Sequence, residues 1–151
     1  MKIACDIDGV ICNPVEWVEK YIPHDWETYF SHTLEFLPIH QIIRLIYGTW
    51  RDKCNVVLVS GRPESNRLLT RVWLSIHFPW YDELLLRDDN DARPTHIIKL
   101  EWYGGMKPDL ILDDDPVVAN TAHKAGYTVL QVHGYRSSSM GSRGDGIPFS
   151  S

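Results

Sequence analysis

The sequence predicts an α/β fold, a central parallel sheet with helices on its two faces. Three observations carry this expectation. Short apolar runs at 2–6, 55–59, 84–86, 109–113 and about 127–132 have the length and composition of buried strands. Between most of them lie segments whose apolar residues recur at helical spacing. Three of the runs end abruptly in polar or acidic residues, at Asp6, Ser60 and Asp113. Strand–helix alternation implies right-handed crossovers and hence parallel strands. In open sheets of this type, ligands bind at the carboxyl ends of the strands.

The first strand, residues 2–6, leads into Asp6-Ile7-Asp8-Gly9. Two carboxylates this close repel each other unless a cation or a shared proton relieves them. Gly9 permits a sharp turn and a close approach of backbone. Residues 14–21 read as a short helix with Asn13 as its cap and Pro14 in its first turn. The stretch from Pro23 to Pro38 is aromatic and weakly periodic, so it reads as irregular. Apolar residues at 39, 42, 43, 45 and 46 predict a helix ending near Gly48.

Strand two, 55–59, ends in Ser60-Gly61-Arg62. Leu68, Leu69, Val72, Trp73 and Ile76 make a helix of 64–78. A short strand at 84–86 precedes the acidic loop Asp88-Asp89-Asn90-Asp91, a composition that is usually just solvated. Pro94 to Tyr103, with Lys99 inside it, predicts a helix closed by Gly104-Gly105. Strand four, 109–113, ends in Asp113-Asp114-Asp115, with Asp115 as a helix cap before Pro116. A helix of 116–125 stops at Gly126, and the last strand follows. Residues 1–133 read as one domain, and the Gly/Ser-rich stretch 134–151 as a disordered tail.

Composition bounds the function. At 151 residues with 44% hydrophobic content, the chain can bury a substantial core. Its apolar runs are too short to span a membrane. No charged-then-apolar leader precedes the first strand, an expectation against secretion. Cys5, Cys12 and Cys54 are odd in number and lack metal-ligand spacing, as expected for reduced thiols in a cytoplasm. The seven histidines are scattered in the same way. A net charge of −5 opposes broad electrostatic attraction to nucleic acid but allows a local basic cleft. Aromatics between Trp17 and Phe36 could stack on bases, although packing of the loop onto the sheet is the commoner role.

Carboxylate pair, strand-end hydroxyl, lysine and second carboxylate pair occur in that order over residues 3–115. This resembles the four signature motifs of the haloacid dehalogenase (HAD) superfamily of phosphatases. The resemblance implies a three-layer, Rossmann-like fold with a five-stranded parallel sheet. Its strand order is 5-4-1-2-3, counted as the strands occur. It implies that Asp6 attacks the phosphoryl group to form an aspartyl-phosphate, and that Asp8 acts as general acid and then base. Magnesium is the implied ion, held by Asp6, the backbone carbonyl of Asp8 and Asp114. Asp113 is the outer neighbour, and which of Asp113 and Asp114 binds metal directly stays open. Ser60 and the amides around Gly61 would hold a phosphate oxygen, and Lys99 would offset phosphoryl charge. The intervals 11–54 and 63–98 leave no room for a full cap domain, which favours a bulky substrate.

Ser60-Gly61-Arg62, Thr70-Arg71-Val72-Trp73, and Arg87 with Asp91, Arg93 and Lys99 are also similar to the 3′-phosphatase domain of phage polynucleotide kinase-phosphatases. This likeness implies that Arg62 contacts phosphate, that Arg93 borders the cleft, and that the partner is a nucleic-acid 3′-phosphate end. Val10 departs from its pattern, as do Lys20-Tyr21 and Thr95-His96. The sequence contains no kinase P-loop. A phosphatase of mononucleotides or sugar phosphates is the alternative. A non-catalytic phosphate-binding module is another, but it would not need both Asp6 and Asp8. The oligomeric state is not legible.

Overall fold

The computed structural model describes residues 1–50 and 52–134. Apart from Gly134, the expected tail lies outside the described residues. The elements are β1 (Lys2–Cys5), β2 (Cys12–Asn13), α1 (Val15–Tyr21), α2 (Trp26–Ser31), β3 (Leu37–Pro38), α3 (His40–Thr49), β4 (Asn55–Pro63), α4 (Arg67–His77), β5 (Glu83–Arg87), α5 (Thr95–Met106), β6 (Leu110–Asp113), α6 (Pro116–Lys124) and β7 (Val129–Gln131). Single 3-10 turns occupy Thr33–Glu35 and Glu64–Asn66.

Five strands form one parallel sheet in the order β5-β4-β1-β6-β7. Read from the other edge, this is the 5-4-1-2-3 order that the resemblance implies. β1 is central, with Cys5 in register with Leu58 on one side and Leu112 on the other.

Alternation along the strands divides the core into two layers. Ile3 and Cys5 of β1, Val56 and Leu58 of β4, and Leu112 of β6 face a large cluster. It also contains Val18, Tyr29, Ile43, Ile46, Trp73, Leu74 and Phe78, contributed by α1 to α4 and the residue after α4. Ala4, Val57, Val59 and Ile111 face the opposite way, onto Tyr103 of α5 and Val118 and Ala122 of α6. This parity matters for the site. Asp6 continues the face of Ala4, and Asp113 that of Ile111, so both carboxylates project toward α5. Ser60 and Arg62 continue the face of Leu58, toward α4.

The region 23–38 differs from the irregular loop expected. Asp25 caps α2 by accepting from the Thr28 amide at 3.0 Å. The α2 helix and the 3-10 turn after it are then fixed by contacts distant in sequence. Asn66 Nδ2 donates to the Phe30 carbonyl at 3.2 Å, and Trp73 Nε1 to the Phe36 carbonyl at 2.9 Å. β2 and β3 pair antiparallel and close the base of this excursion. Two short helices and a turn do not amount to a cap domain, and the described residues form none.

Two boundaries also move. β4 runs on to Pro63, with a register shift against β5 between Ser60 and Pro63. The α5 helix continues through Gly104-Gly105 to Met106 and ends at Lys107, whose φ of 50° is left-handed and whose amide donates to the Tyr103 carbonyl. Buried Tyr103 anchors the last turn, so the glycine pair does not end the helix. Asp115 caps α6 as expected, accepting from the Val117 amide; at α1 the cap residue is Pro14, not the expected Asn13, whose Oδ1 accepts from the Val15 amide one residue further on. No helix of the described residues is long and apolar enough to cross a membrane.

Candidate active site

Asp6 follows β1 directly, its amide donating to the Leu112 carbonyl of the neighbouring strand at 2.9 Å. Its side chain is fully buried. Lys99, one helical turn before Tyr103 on the inner face of α5, is buried beside it. Lys99 Nζ lies 3.1 Å from Asp6 Oδ1 and donates to Asp113 Oδ2 at 2.7 Å. The other oxygen of Asp113 accepts from the Asp115 amide at 2.9 Å. Both Asp113 oxygens are thus engaged within the protein. Asp6 Oδ2 accepts no hydrogen bond from the described residues.

Asp6, Asp113 and Asp114 each offer an oxygen within 4.8 Å of the others. Adjacent strand residues normally diverge, but β6 ends at Asp113, so the chain can turn Asp114 back toward the same point. Among the described residues no other group of His, Cys, Asp or Glu has ligating geometry. Three carboxylates face one ammonium, a surplus of negative charge. Burial pushes the Asp6 carboxyl well above the usual range, the charge of Asp113 adds to this, and Lys99 offsets part of it. Burial alone would lower Lys99, yet Asp113 and Asp6 hold it well above the ordinary lysine value. An all-oxygen, electron-rich cluster of this kind fits a hard divalent cation such as magnesium.

Gly9 packs directly against this cluster. Its φ is +87°, and a Cβ built there would lie 1.8 Å from Asp114 Oδ2 and 2.3 Å from its Cγ. Gly9→Ala therefore has to displace the carboxylate and also strain the turn. We expect it to lower stability by roughly 1–3 kcal/mol, read as a shift in the urea midpoint. An unchanged midpoint would mean that the turn relaxes freely.

Asp8 stands apart from the carboxylate cluster. Arg62 Nε donates to its Oδ2 at 2.8 Å and Nη2 to its Oδ1 at 2.7 Å, a bidentate pair in which both side chains are fully buried. Arg62 Nη1 donates to Thr70 Oγ1 at 3.1 Å, and Thr70 in turn donates to Asn66 Oδ1 at 2.9 Å. Desolvation would lower the Arg62 pKa, but the Asp8 carboxylate outweighs it and holds the guanidinium charged. The carboxylate of Asp8 is thus committed to arginine, leaving only its backbone carbonyl to approach a cation.

The expectation that Arg62 faces a substrate phosphate meets a different geometry. Beyond Ser60 the side chain continues the face toward α4, and Asp8 takes its fork. Arg93 is also placed otherwise: its guanidinium donates to Asp91 at 2.8 Å and to Glu101 at 2.6 Å, on the surface. The likeness implies a position bordering the cleft; here two carboxylates hold the side chain. Asp91 is correspondingly lowered to about 2, chiefly by the hydrogen bonds from Arg93. Ser60 is buried, its Oγ accepting from the Arg62 amide at 3.1 Å, and Gly61 is half-exposed at the strand end.

Sequence reasoning missed Asn66, and it quoted Thr70 within the Thr70-Arg71-Val72-Trp73 likeness without giving it a role. Both are buried polar residues in or beside an otherwise apolar helical face, a signal present in the sequence but shared with many structural residues.

A buried lysine between strand-end carboxylates, on a sheet of this order, places the chain among phosphatases of the HAD type. Residues 1–135 match the model of one family within that class, described as "Polynucleotide kinase PNKP phosphatase domain". The chain belongs to that family. Among solved structures it is similar to a chain of the Pnkp1/Rnl/Hen1 RNA repair complex, with 25% identity and a TM-score of 0.71. That match covers 87% of this chain and 42% of the other. The present chain thus spans less than half the length of that relative. A hydrolase from Streptococcus pneumoniae TIGR4 is 14% identical over 94% of this chain and 96% of its own, with a TM-score of 0.58. A HAD family enzyme from Bacteroides thetaiotaomicron, determined as a magnesium complex, is 14% identical over 94% and 98%, with a TM-score of 0.52. These last two share the fold. No curated protein matches the chain.

Proposed function

We propose that this chain hydrolyses phosphomonoesters with magnesium, through an aspartyl-phosphate on Asp6, and that its substrate is the 3′-phosphate end of a polynucleotide. The observation that carries the chemistry is Asp6 itself. It is a fully buried carboxylate with an oxygen that accepts no hydrogen bond from the described residues, set among two further carboxylates and a lysine. Burying an acceptor without a partner is unfavourable unless a ligand supplies one.

Asp6 Oδ bonds to phosphorus as the bond from phosphorus to the ester oxygen breaks, and Asp8 gives that oxygen its proton. Water then attacks phosphorus, Asp8 takes a proton from it, and the bond from phosphorus to Asp6 breaks to release phosphate. Lys99 balances charge on Asp6 and on the phosphoryl oxygens. Ser60 and the amides near Gly61 orient a further oxygen. Asp6, Asp114 and the Asp8 carbonyl would hold magnesium, with Asp113 outside them, tied to Lys99. When bound, the ion neutralises phosphate charge. The bidentate contact from Arg62 suits ionised Asp8, the form that accepts a proton from water. As an acid, Asp8 must carry a proton and loosen one of these hydrogen bonds.

The family match and the similarity to Pnkp1 support a nucleic-acid substrate, and the described residues form no cap domain that would stand in the way of a bulky one. The three free thiols suit a reducing compartment such as the cytoplasm.

The test is a panel with magnesium: 3′- and 5′-phosphorylated oligonucleotides, mononucleotides, sugar phosphates and p-nitrophenyl phosphate. The 3′-phosphorylated oligonucleotide should show the highest kcat/KM, and the preference should weaken as salt rises. Faster turnover of mononucleotides or sugar phosphates would assign the chain to small substrates. Asp8→Asn should reduce turnover of the oligonucleotide at least about tenfold more than that of p-nitrophenyl phosphate, whose leaving group hardly needs a proton. Equal losses would remove Asp8 as the acid.

A further inference from the structure

A cavity of about 560 Å³ opens between α2 and the turn joining β4 to α4. A volume of that order suits a small ligand. Trp26 and Phe30 form one wall, and Pro63 and Leu69 line it from the β4–α4 side. The other aromatics of this region are used differently: Tyr29 and Phe36 are buried in the core. Trp26 is held in place, its ring stacked on Phe30 at 5.7 Å and set edge-on to Tyr29 at 5.7 Å. Among the described residues, the charged ones lining the cavity are Glu27 and Asp89, with no cation. Such a rim repels phosphate but accepts hydrogen bonds from neutral donors, such as base amino groups and sugar hydroxyls.

The cavity is lined at one side by Pro63, the last residue of the strand that carries Ser60. Pro63 is three residues beyond Ser60, so their Cα atoms are at most about 11 Å apart. Asn66, which also lines it, connects through Thr70 and Arg62 to Asp8 in an unbroken chain of hydrogen bonds.

We propose that this cavity takes the terminal nucleoside of the substrate, its base lying against Trp26 and Phe30 while its 3′-phosphate reaches Asp6. This rests on the 3′-phosphatase reading above. The base and sugar of that nucleoside match the aromatic wall and the acceptors of the rim, while both phosphates it carries stay outside the cavity, the 3′-phosphate toward Ser60 and Lys99 and the 5′-phosphodiester toward solvent. Asn66 is bonded at once to the Phe30 carbonyl and to the chain leading to Asp8.

The experiment compares kcat/KM for two 3′-phosphorylated oligonucleotides that differ only in the terminal residue, one bearing a base and one an abasic tetrahydrofuran. The wild type should favour the base-bearing substrate by at least roughly fivefold, the lower end of what a stacked base contributes. Trp26→Ala should erase that ratio and Trp26→Phe should keep most of it. Leu69→Trp, which fills the cavity from α4 and leaves every residue of α2 unchanged, should erase it as well, so loss of the Trp26 side chain from α2 cannot account for both. Equal turnover of the two substrates by the wild type, or a ratio surviving in Leu69→Trp, overturns the proposal while leaving the 3′-phosphatase reading intact. Hydrolysis of neither oligonucleotide, with other phosphomonoesters turned over, overturns both.

Discussion

Asp6→Asn is expected to reduce turnover by roughly 10⁴-fold or more, the scale on which loss of a nucleophile is felt. The fold should survive. Asp6 is one of three clustered carboxylates facing one lysine, so the substitution removes surplus negative charge without removing an accepted hydrogen bond. The pH dependence of stability gives a second readout. Burial and Asp113 raise the folded pKa of Asp6 well above 3.8. A group raised in the folded state binds its proton more tightly there. Its contribution to stability is full below 3.8 and is lost as pH rises through the folded value. The metal-free wild type should therefore lose stability on going from acid toward neutral pH, and Asp6→Asn should lose less. Magnesium should raise the melting temperature of the wild type by mass action and that of the variant by less. Near-normal turnover in Asp6→Asn would end the covalent mechanism. An unchanged magnesium response would remove Asp6 as a ligand.

The cluster was legible because it depends on strand ends. Asp6, Ser60 and Asp113 each close an apolar run, and the strand order implied by the HAD resemblance sets those three ends side by side at one rim. Lys99 needed only to lie on the inward face of a helix that crosses back over that rim. The bidentate contact of Arg62 with Asp8 was not legible. Alternation from Leu58 puts Arg62 on the face toward α4, but its partner there is 54 residues earlier in the chain, and nothing in Ser-Gly-Arg names it. The 23–38 region was opaque because α2 spans only six residues, too few to show periodicity. Asn66 and Trp73, more than thirty residues away in the chain, hold it in place. Gly104-Gly105 failed as a helix stop because local propensity is weak against a buried anchor one residue earlier, Tyr103.

The Arg62–Asp8 pair gives the second large effect. Arg62→Ala leaves a fully buried carboxylate without the two N–H groups that now hold it, and leaves Thr70 Oγ1 without a donor. Loss of one partner of a buried pair costs roughly 3–5 kcal/mol, so the urea midpoint should fall sharply. Turnover should fall with it through kcat, because Asp8 loses its orientation. Arg62→Lys should recover part of the stability but little activity, since an ammonium cannot reproduce the bidentate fork. A double variant, Arg62→Met with Asp8→Leu, separates packing from chemistry. Replacing both charges by apolar groups should restore stability toward the wild type while turnover of the 3′-phosphorylated oligonucleotide stays lost. The contrary result is equally clear. If Arg62→Ala keeps the wild-type midpoint and kcat but raises KM, the guanidinium binds the substrate phosphate, and its grip on Asp8 is only where it rests without one.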